Sequence, residues 1–383
     1  EGRKEVMDVH KSDVSFFFND TATTEVYARS LPDALPLLPH TGGRTTCIMH
    51  PGAISYSAAC LRCRMATINS VLGPMDTADL GFTLPHEHLI DSSAGVNATY
   101  GELVDRPWAL ETAVKDLTQA HIEGVDTIVE VSPLDLGREV SLMKEVSERS
   151  GVHFICCTGC WLDIPRSIWG RTPEFIAALW TREIESGIDD TGIKAGIIKV
   201  ATSDPISENE ELMLRSAAKT HLRTGVPVTT HTPAQSRVGE EQVRILKEEG
   251  VEPHQIYIGH INNTADKEYH RELARLGVWL GWDINNPFGR PHLPSWEKMT
   301  DYLKELLDEG LGSNLMLSHD WNVVITRLAS PGFPNREENP DGYLWLTRKV
   351  IPRLKDSGVE QTAIDRMMKG NPRRYFEGLR PES

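Results

Sequence analysis

The chain contains no apolar run of the roughly 18 residues that a membrane-spanning helix needs, so no membrane is expected as a partner. Basic side chains are in the minority: 40 Lys and Arg stand against 55 Asp and Glu, a formal charge of −15. That balance repels phosphate backbones and anionic lipid alike, and excludes nucleic acid as an expected partner. A small neutral substrate stays open. Cysteine is sparse as well. Six in 383 residues do not make the dense cross-linking of a small secreted scaffold. Cys156, Cys157 and Cys160 flank one apolar run and read as buried thiols. Missing too is a Gly-x-Gly-x-x-Gly turn after the first strand-like run, the main signature of an open dinucleotide-binding sheet. What is present is an ordinary globular composition, 39% hydrophobic and 25% charged, enough for one large domain or two average ones.

Residues 1–64 stand apart from the rest. They carry no sustained strand or helix period and no alternation between the two. Residues 16–37 resemble the conceptual translation of a sequencing-library adapter. The expectation is a non-native or disordered leader over 1–64 and a folded domain over 65–383, starting at Met65. Cys60 and Cys63 fall in the leader and are given no redox or zinc role. No basic start leads into an apolar stretch of secretory-signal length, which points to the cytoplasm.

From Val71 onward, apolar runs alternate with amphipathic ones. The strand candidates are 81–88, 126–131, 153–158, 195–201, 227–231, 256–260, 278–283 and 314–320. Between them lie helical patterns at 107–123, 138–150, 173–186, 208–223, 240–249, 266–276 and 295–309, followed by 343–355 and 361–369. Several helices stop at a glycine, Gly225 among them. Eight strands alternating with helices predict an α/β fold of parallel βαβ units. The count of eight selects a closed (β/α)8 TIM barrel over an open sheet.

Strand C-terminal ends converge on one face of such a barrel, where active sites are built. His86 and His88, in Gly81-Phe82-Thr83-Leu84-Pro85-His86-Glu87-His88, are two residues apart and share one side of their strand. Lys199, His231, His260 and Asp320 each close a different apolar run. A single buried histidine is more often a hydrogen-bonded core residue than a ligand. A set of ligand-type side chains aimed from five strand ends at one mouth is not explained by packing, and imidazoles with a carboxylate suit a divalent metal. Lys199 follows Ala195-Gly196-Ile197-Ile198 with no acid beside it in sequence. Burying an ammonium is costly, so a lowered pKa is expected. Two readings remain: an ion pair with Asp320, or a carbamate formed by the neutral amine and carbon dioxide.

The order His-x-His, Lys, His, His, Asp over a (β/α)8 pattern resembles the amidohydrolase superfamily. From about Asn69 to Phe376 the chain resembles its phosphotriesterase family, in particular the bacterial phosphotriesterases (aryldialkylphosphatases). Besides Gly81–His88, the resemblance rests on Asp190–Thr202, Thr224–Thr232, Ile258-Gly259-His260 and Ser318-His319-Asp320-Trp321. It implies a binuclear centre of two divalent ions. His86, His88 and Asp320 would hold the more buried ion and His231 and His260 the more exposed one. Lys199, as N6-carboxylysine, would bridge them. Zinc is the implied metal, with cobalt, manganese or iron as substitutes. The resemblance also implies attack by a metal-bridging hydroxide on a small-molecule ester, with Asp320 taking the proton, and a homodimer.

Substrate preference is read from the mouth. Trp161 matches an aromatic wall of phosphotriesterases where related lactonases carry Tyr, and Asp283-Ile284 differs from the lactonases' Asp-Arg. Both features favour organophosphate triesters, with promiscuous lactone or ester hydrolysis. Against this, Asn263 and Ile284 stand where bacterial phosphotriesterases carry the Asp and His that pass the proton outward from Asp320. The expected pocket is lined by Trp161, Leu162, Leu136, Trp282, Ile284, Phe288 and Trp321, beside a short loop at 285–294. The alternatives are a lactonase with weak phosphotriesterase activity, for instance on acyl-homoserine lactones, and a non-catalytic, metal-stabilised ligand-binding barrel.

Overall fold

The alternating runs become the elements they predict. In a computed structural model that describes residues 66–287, 292–326 and 336–382, the strands are β1 (Thr83–Glu87), β2 (Thr127–Glu130), β3 (His153–Cys160), β4 (Ile197–Ala201), β5 (Val228–His231), β6 (Ile256–Ile258), β7 (Trp279–Trp282) and β8 (Leu315–Leu317). They pair in sequence order, each parallel to the next, from β1 to β8. Seven helices occupy the predicted intervals: α1 (Arg106–Ile122), α2 (Val140–Ser150), α3 (Pro173–Glu185), α4 (Glu208–Thr224), α5 (Gly239–Glu248), α6 (Lys267–Leu276) and α7 (Trp296–Asp308). This is a nearly closed (β/α)8 barrel. The expected leader, with Cys60 and Cys63, lies outside the described residues.

Local chemistry sets the helix ends. In α4, Ser207 and Glu210 cap each other's backbone N–H reciprocally, and Gly225 ends the helix at φ +76°. Asp105, Thr172 and Asp266 accept from first-turn N–H groups of α1, α3 and α6. The two C-terminal stretches are less regular than their pattern. Each widens to a π turn, at Leu346–Val350 and Arg366–Gly370, shortly before Pro352 and Pro372. Proline has no N–H for the helical ladder and its ring crowds the preceding turn.

The barrel has two packing layers. Val129, Ile155, Cys157, Ile197, Tyr257, Trp279 and Met316 form an inner cluster, sealed at one end by Ile68 of the antiparallel hairpin Thr67–Ser70/Gly73–Asp76. Leu84, Ile128, Phe154, Ile198, Val228, Leu280 and Leu317 face outward into the larger cluster under the helices. Alternation along each strand therefore decides which side chains reach the mouth. On β1 the register slips between Leu84 and Glu87. The extra residue lets His86 turn inward although both Leu84 and Glu87 face outward.

The strands are shorter than their apolar runs. His88, His260 and Asp320 lie just past strand ends, and His260 and Asp320 take left-handed backbone angles, φ +60° and +56°. Between β8 and β1 the closure is made by His88 N–H donating to Trp321 O (2.9 Å) and Asp320 N–H to His86 O (3.2 Å). Gly159 on β3 lies opposite Lys199 on β4. A methyl group on it would fall 1.8 Å from the Lys199 carbonyl oxygen, at φ +121°. We expect Gly159→Ala to cost roughly 2–4 kcal/mol in urea unfolding. Gly225→Ala, with open space around the new methyl, should cost only about 1 kcal/mol for its left-handed backbone.

Candidate metal centre

Four imidazoles, an amine and a carboxylate meet at the C-terminal mouth of the barrel. The ligand-type atoms of His86, His260 and Asp320 all lie within 4.8 Å of one another. His88 Nε2 is 3.1 Å from Asp320 Oδ1, and His86 Nε2 is 3.7 Å from the same oxygen. Lys199 Nζ lies 3.0 Å from His86 Nε2. The His231 ring stands edge-on to His260, centroids 4.5 Å apart, and His260 lies 4.6 Å from His86. The structure thus brings together all six residues singled out from the sequence.

In three of the four rings the outer nitrogen lies beside a partner. His88 Nδ1 meets Ser132 Oγ at 2.7 Å, and Ser132 Oγ donates to Glu130 at 2.7 Å. His260 Nδ1 sits 2.9 Å from Asp283 Oδ1, which also accepts the His260 backbone N–H at 2.8 Å. His86 Nδ1 lies 3.0 Å from Asp283 Oδ2, off the line of a straight hydrogen bond. With Nδ1 turned outward, Nε2 of His86 and of His88 faces the centre, the usual arrangement of metal-binding imidazoles. Sequence reading missed Asp283 as a functional residue. It ends the β7 run as the other candidates end theirs, and that same rule would have selected it. Tyr257 Oη donates to its Oδ2 at 2.9 Å, completing a fully buried carboxylate that serves two rings.

Burial and charge tune these groups. Burial pushes His86 down from the usual 6.5 to about 3, helped by Lys199, and holds His231 well below its usual value, helped by His260. Burial also brings Lys199 down to about 8, even though Asp320 and Asp283 favour its charge through space. Burial works against charge on Asp320 and Asp283 too, but neighbouring imidazoles outweigh it and hold both carboxyls below their ordinary range. For His88, burial is outweighed by its hydrogen bond to Asp320, and its pKa rises. Among the described residues Lys199 forms no ion pair with Asp320; its hydrogen-bonding neighbour is His86. The donor set, imidazole nitrogens turned inward with one carboxylate, fits divalent cations.

The expected substrate wall is only partly assembled. Trp161 stands edge-on to His231, centroids 5.5 Å apart. Its loop is pinned by Asp135, which accepts the backbone N–H of Trp161 (2.8 Å) and Asp163 (3.1 Å). Leu162 and Ile284 are half-buried beside the mouth. Trp282 does not line a pocket. Alternation turns Asp283 inward, so the Trp282 ring packs outward against His270 of α6, centroids 5.7 Å apart. Leu136 and Trp321 are likewise closed off from solvent, Trp321 within the outer core. Phe288 lies outside the described residues. Asn263 Oδ1 meets His292 Nε2 at 3.2 Å on the exposed rim.

A parallel (β/α)8 barrel with this mouth defines a class of hydrolases. Residues 66–376 match the phosphotriesterase family, and the chain belongs to it. A phosphotriesterase homology protein of Mycobacterium tuberculosis is 34% identical over 330 residues, covering 82% of this chain and 98% of the relative. An aryldialkylphosphatase of Saccharolobus solfataricus is 32% identical over 306 residues, covering 79% and 96%. An N-acetyltaurine hydrolase of Dictyostelium discoideum is 31% identical over 286 residues, covering 70% and 73%. Members of the family use a binuclear metal centre. Among the described residues no helix is long and apolar enough to cross a membrane.

Two outcomes follow. Asp283→Asn should weaken metal binding about 10–100-fold, read by chelator competition, because one uncharged amide cannot accept from both rings. Metal-free protein should melt at lower temperature at pH 5 than at pH 8. His86 and His231 are held neutral when folded but bind protons below about 6.5 when unfolded, so stability present above that pH is lost as pH falls toward about 3.

Proposed function

We propose that the chain is a metal-dependent hydrolase of organophosphate triesters, with lactone or carboxylic ester hydrolysis as a side activity. One observation carries the reading: among the described residues, a buried lysine amine with no carboxylate ion pair lies 3.0 Å from His86 Nε2, in a cluster of four imidazoles and the Asp320 carboxylate. His86, His88 and Asp320 would hold the inner divalent ion, His231 and His260 the outer one, and Lys199 both. Zinc best matches the donors.

Lys199 does this as a carbamate. Its neutral amine forms an N–C bond with carbon dioxide and releases one proton, turning a costly buried cation into a two-oxygen anion. A pKa of about 8 leaves a workable neutral fraction near physiological pH. The bound ions would supply Lewis acidity, bringing the pKa of water near neutrality and polarising a phosphoryl or carbonyl oxygen. Asp320 Oδ1, beside His88 Nε2 at 3.1 Å, accepts the nucleophile's proton. Trp161 over His231 gives an aromatic leaving group an apolar face and keeps bulk water from that side.

A second reading is hydrolysis at a carboxyl carbon. It is favoured by Asn263 and Ile284, which lack the proton-passing groups of bacterial phosphotriesterases, and by the relative named N-acetyltaurine hydrolase. The test is a chelate-and-restore assay over an aryl dialkyl phosphate, an acyl-homoserine lactone and N-acetyltaurine. The triester should show the highest kcat/KM, activity should vanish on chelation, and Zn2+ should restore it. Lys199→Met should lower kcat/KM more than about a hundredfold, beyond the effect of losing an outer partner of a ligand. A higher kcat/KM for lactone or N-acyl substrate would select the second reading, and metal-loaded protein inactive on all three would sink both.

A further inference from the structure

Glu87, the middle residue of His-Glu-His, points away from the centre and takes no part in the chemistry above. It is nevertheless fully buried, and its surroundings are specific. Oε1 accepts from Ser318 Oγ (2.7 Å), the His319 backbone N–H (2.8 Å) and His319 Nδ1 (2.7 Å). Oε2 accepts from the Trp321 backbone N–H (2.9 Å). Every donor comes from a neighbour of Asp320 in the chain. Asp320 itself is left out, its N–H donating to His86 O and its carboxylate turned to the centre.

The donors are fixed in direction. His319 Nε2 accepts the Leu346 N–H at 3.0 Å, so its ring proton sits on Nδ1, facing Glu87. Ser318 Oγ accepts the His86 N–H at 3.0 Å, which aims its hydroxyl proton at Glu87. One carboxylate thus holds residues 318, 319 and 321, while residue 320 between them adopts a left-handed backbone that is uncommon for a non-glycine residue. The same contacts tie β8 to β1 where the strand ladder is missing.

We infer that Glu87 is the positioning residue for Asp320: by clamping Ser318, His319 and Trp321 it sets where the Asp320 carboxylate stands relative to His88 and His86. The inference rests on the proposed metal-hydrolase reading, since it assigns Asp320 its ligand role. A glutamine of the same shape would not serve. Its amide nitrogen donates, and would face either the three donors now on Oε1 or the Trp321 N–H, leaving a buried donor unmet.

The test compares the full-length wild type with Glu87→Gln and His319→Gln, by melting temperature, Co2+ titration followed in the visible spectrum, and steady-state kinetics on the best substrate. Glu87→Gln should weaken Co2+ binding and lower kcat about 10–100-fold, as for other outer partners of metal ligands. KM should stay within about twofold, and the ligand-field bands of bound Co2+ should shift. His319→Gln should change the same quantities in the same direction, less strongly. Folded Glu87→Gln with wild-type Co2+ binding, bands and kcat would overturn the inference. If Glu87→Gln does not fold, wild-type values for His319→Gln would overturn it instead. Wild-type protein that takes up no Co2+ would remove the metal-hydrolase reading, and this inference with it.

Discussion

The buried amine of Lys199, 3.0 Å from a buried imidazole nitrogen, is the contact from which the rest of the mouth is best understood. Two nitrogens at that separation share at most one proton. Burial presses both toward their neutral forms, and His231 beside them is pressed the same way. Nitrogens pressed toward their neutral forms and facing one another are a set of lone pairs short of donors. Divalent cations would resolve that arrangement, and a carbamate on Lys199 would resolve it further by replacing a basic nitrogen with two anionic oxygens.

An outer ring of carboxylates makes the crowding tolerable and directs it. Asp283 anchors His86 and His260 together, Glu130 reaches His88 through Ser132, and Glu87 holds the loop that carries Asp320. Each is buried, which would be costly for a lone anion. Each instead accepts several hydrogen bonds. The barrel matters here because parallel strands bring these outer partners to one end at fixed register. The bulge on β1 and the close approach of Gly159 to β4 are local adjustments that serve the same alignment.

Much of this was legible in the sequence. Eight apolar runs, their helices and the glycines after them gave the barrel, because burial on both faces of a parallel strand leaves an uninterrupted apolar run. His86, His88, Lys199, His231, His260 and Asp320 were found because each ends such a run in a polar group. The partners were harder. Glu87 faces outward, and its purpose depends on residues more than 200 positions away. Ser132 and Glu130 act only through contacts that cross strands. Trp282 was misplaced for a simpler reason: Asp283 takes the inward position, and alternation then turns the indole toward α6. Position near the strand ends and the family resemblance put aromatics at the mouth but did not say which way they face, which is why the pocket was less legible than the ligand set.

Family membership makes the chain a hydrolase, and the geometry supplies a physical reason for a two-metal centre at this mouth. The most direct measurement is elemental analysis of the chain after equilibration with zinc and bicarbonate, taken with the 13C signal of protein exposed to labelled carbon dioxide. The account predicts two zinc ions per chain and a carbamate resonance that disappears in Lys199→Met. A chain that retains no zinc, or that holds it equally well with no carbamate signal, would contradict it.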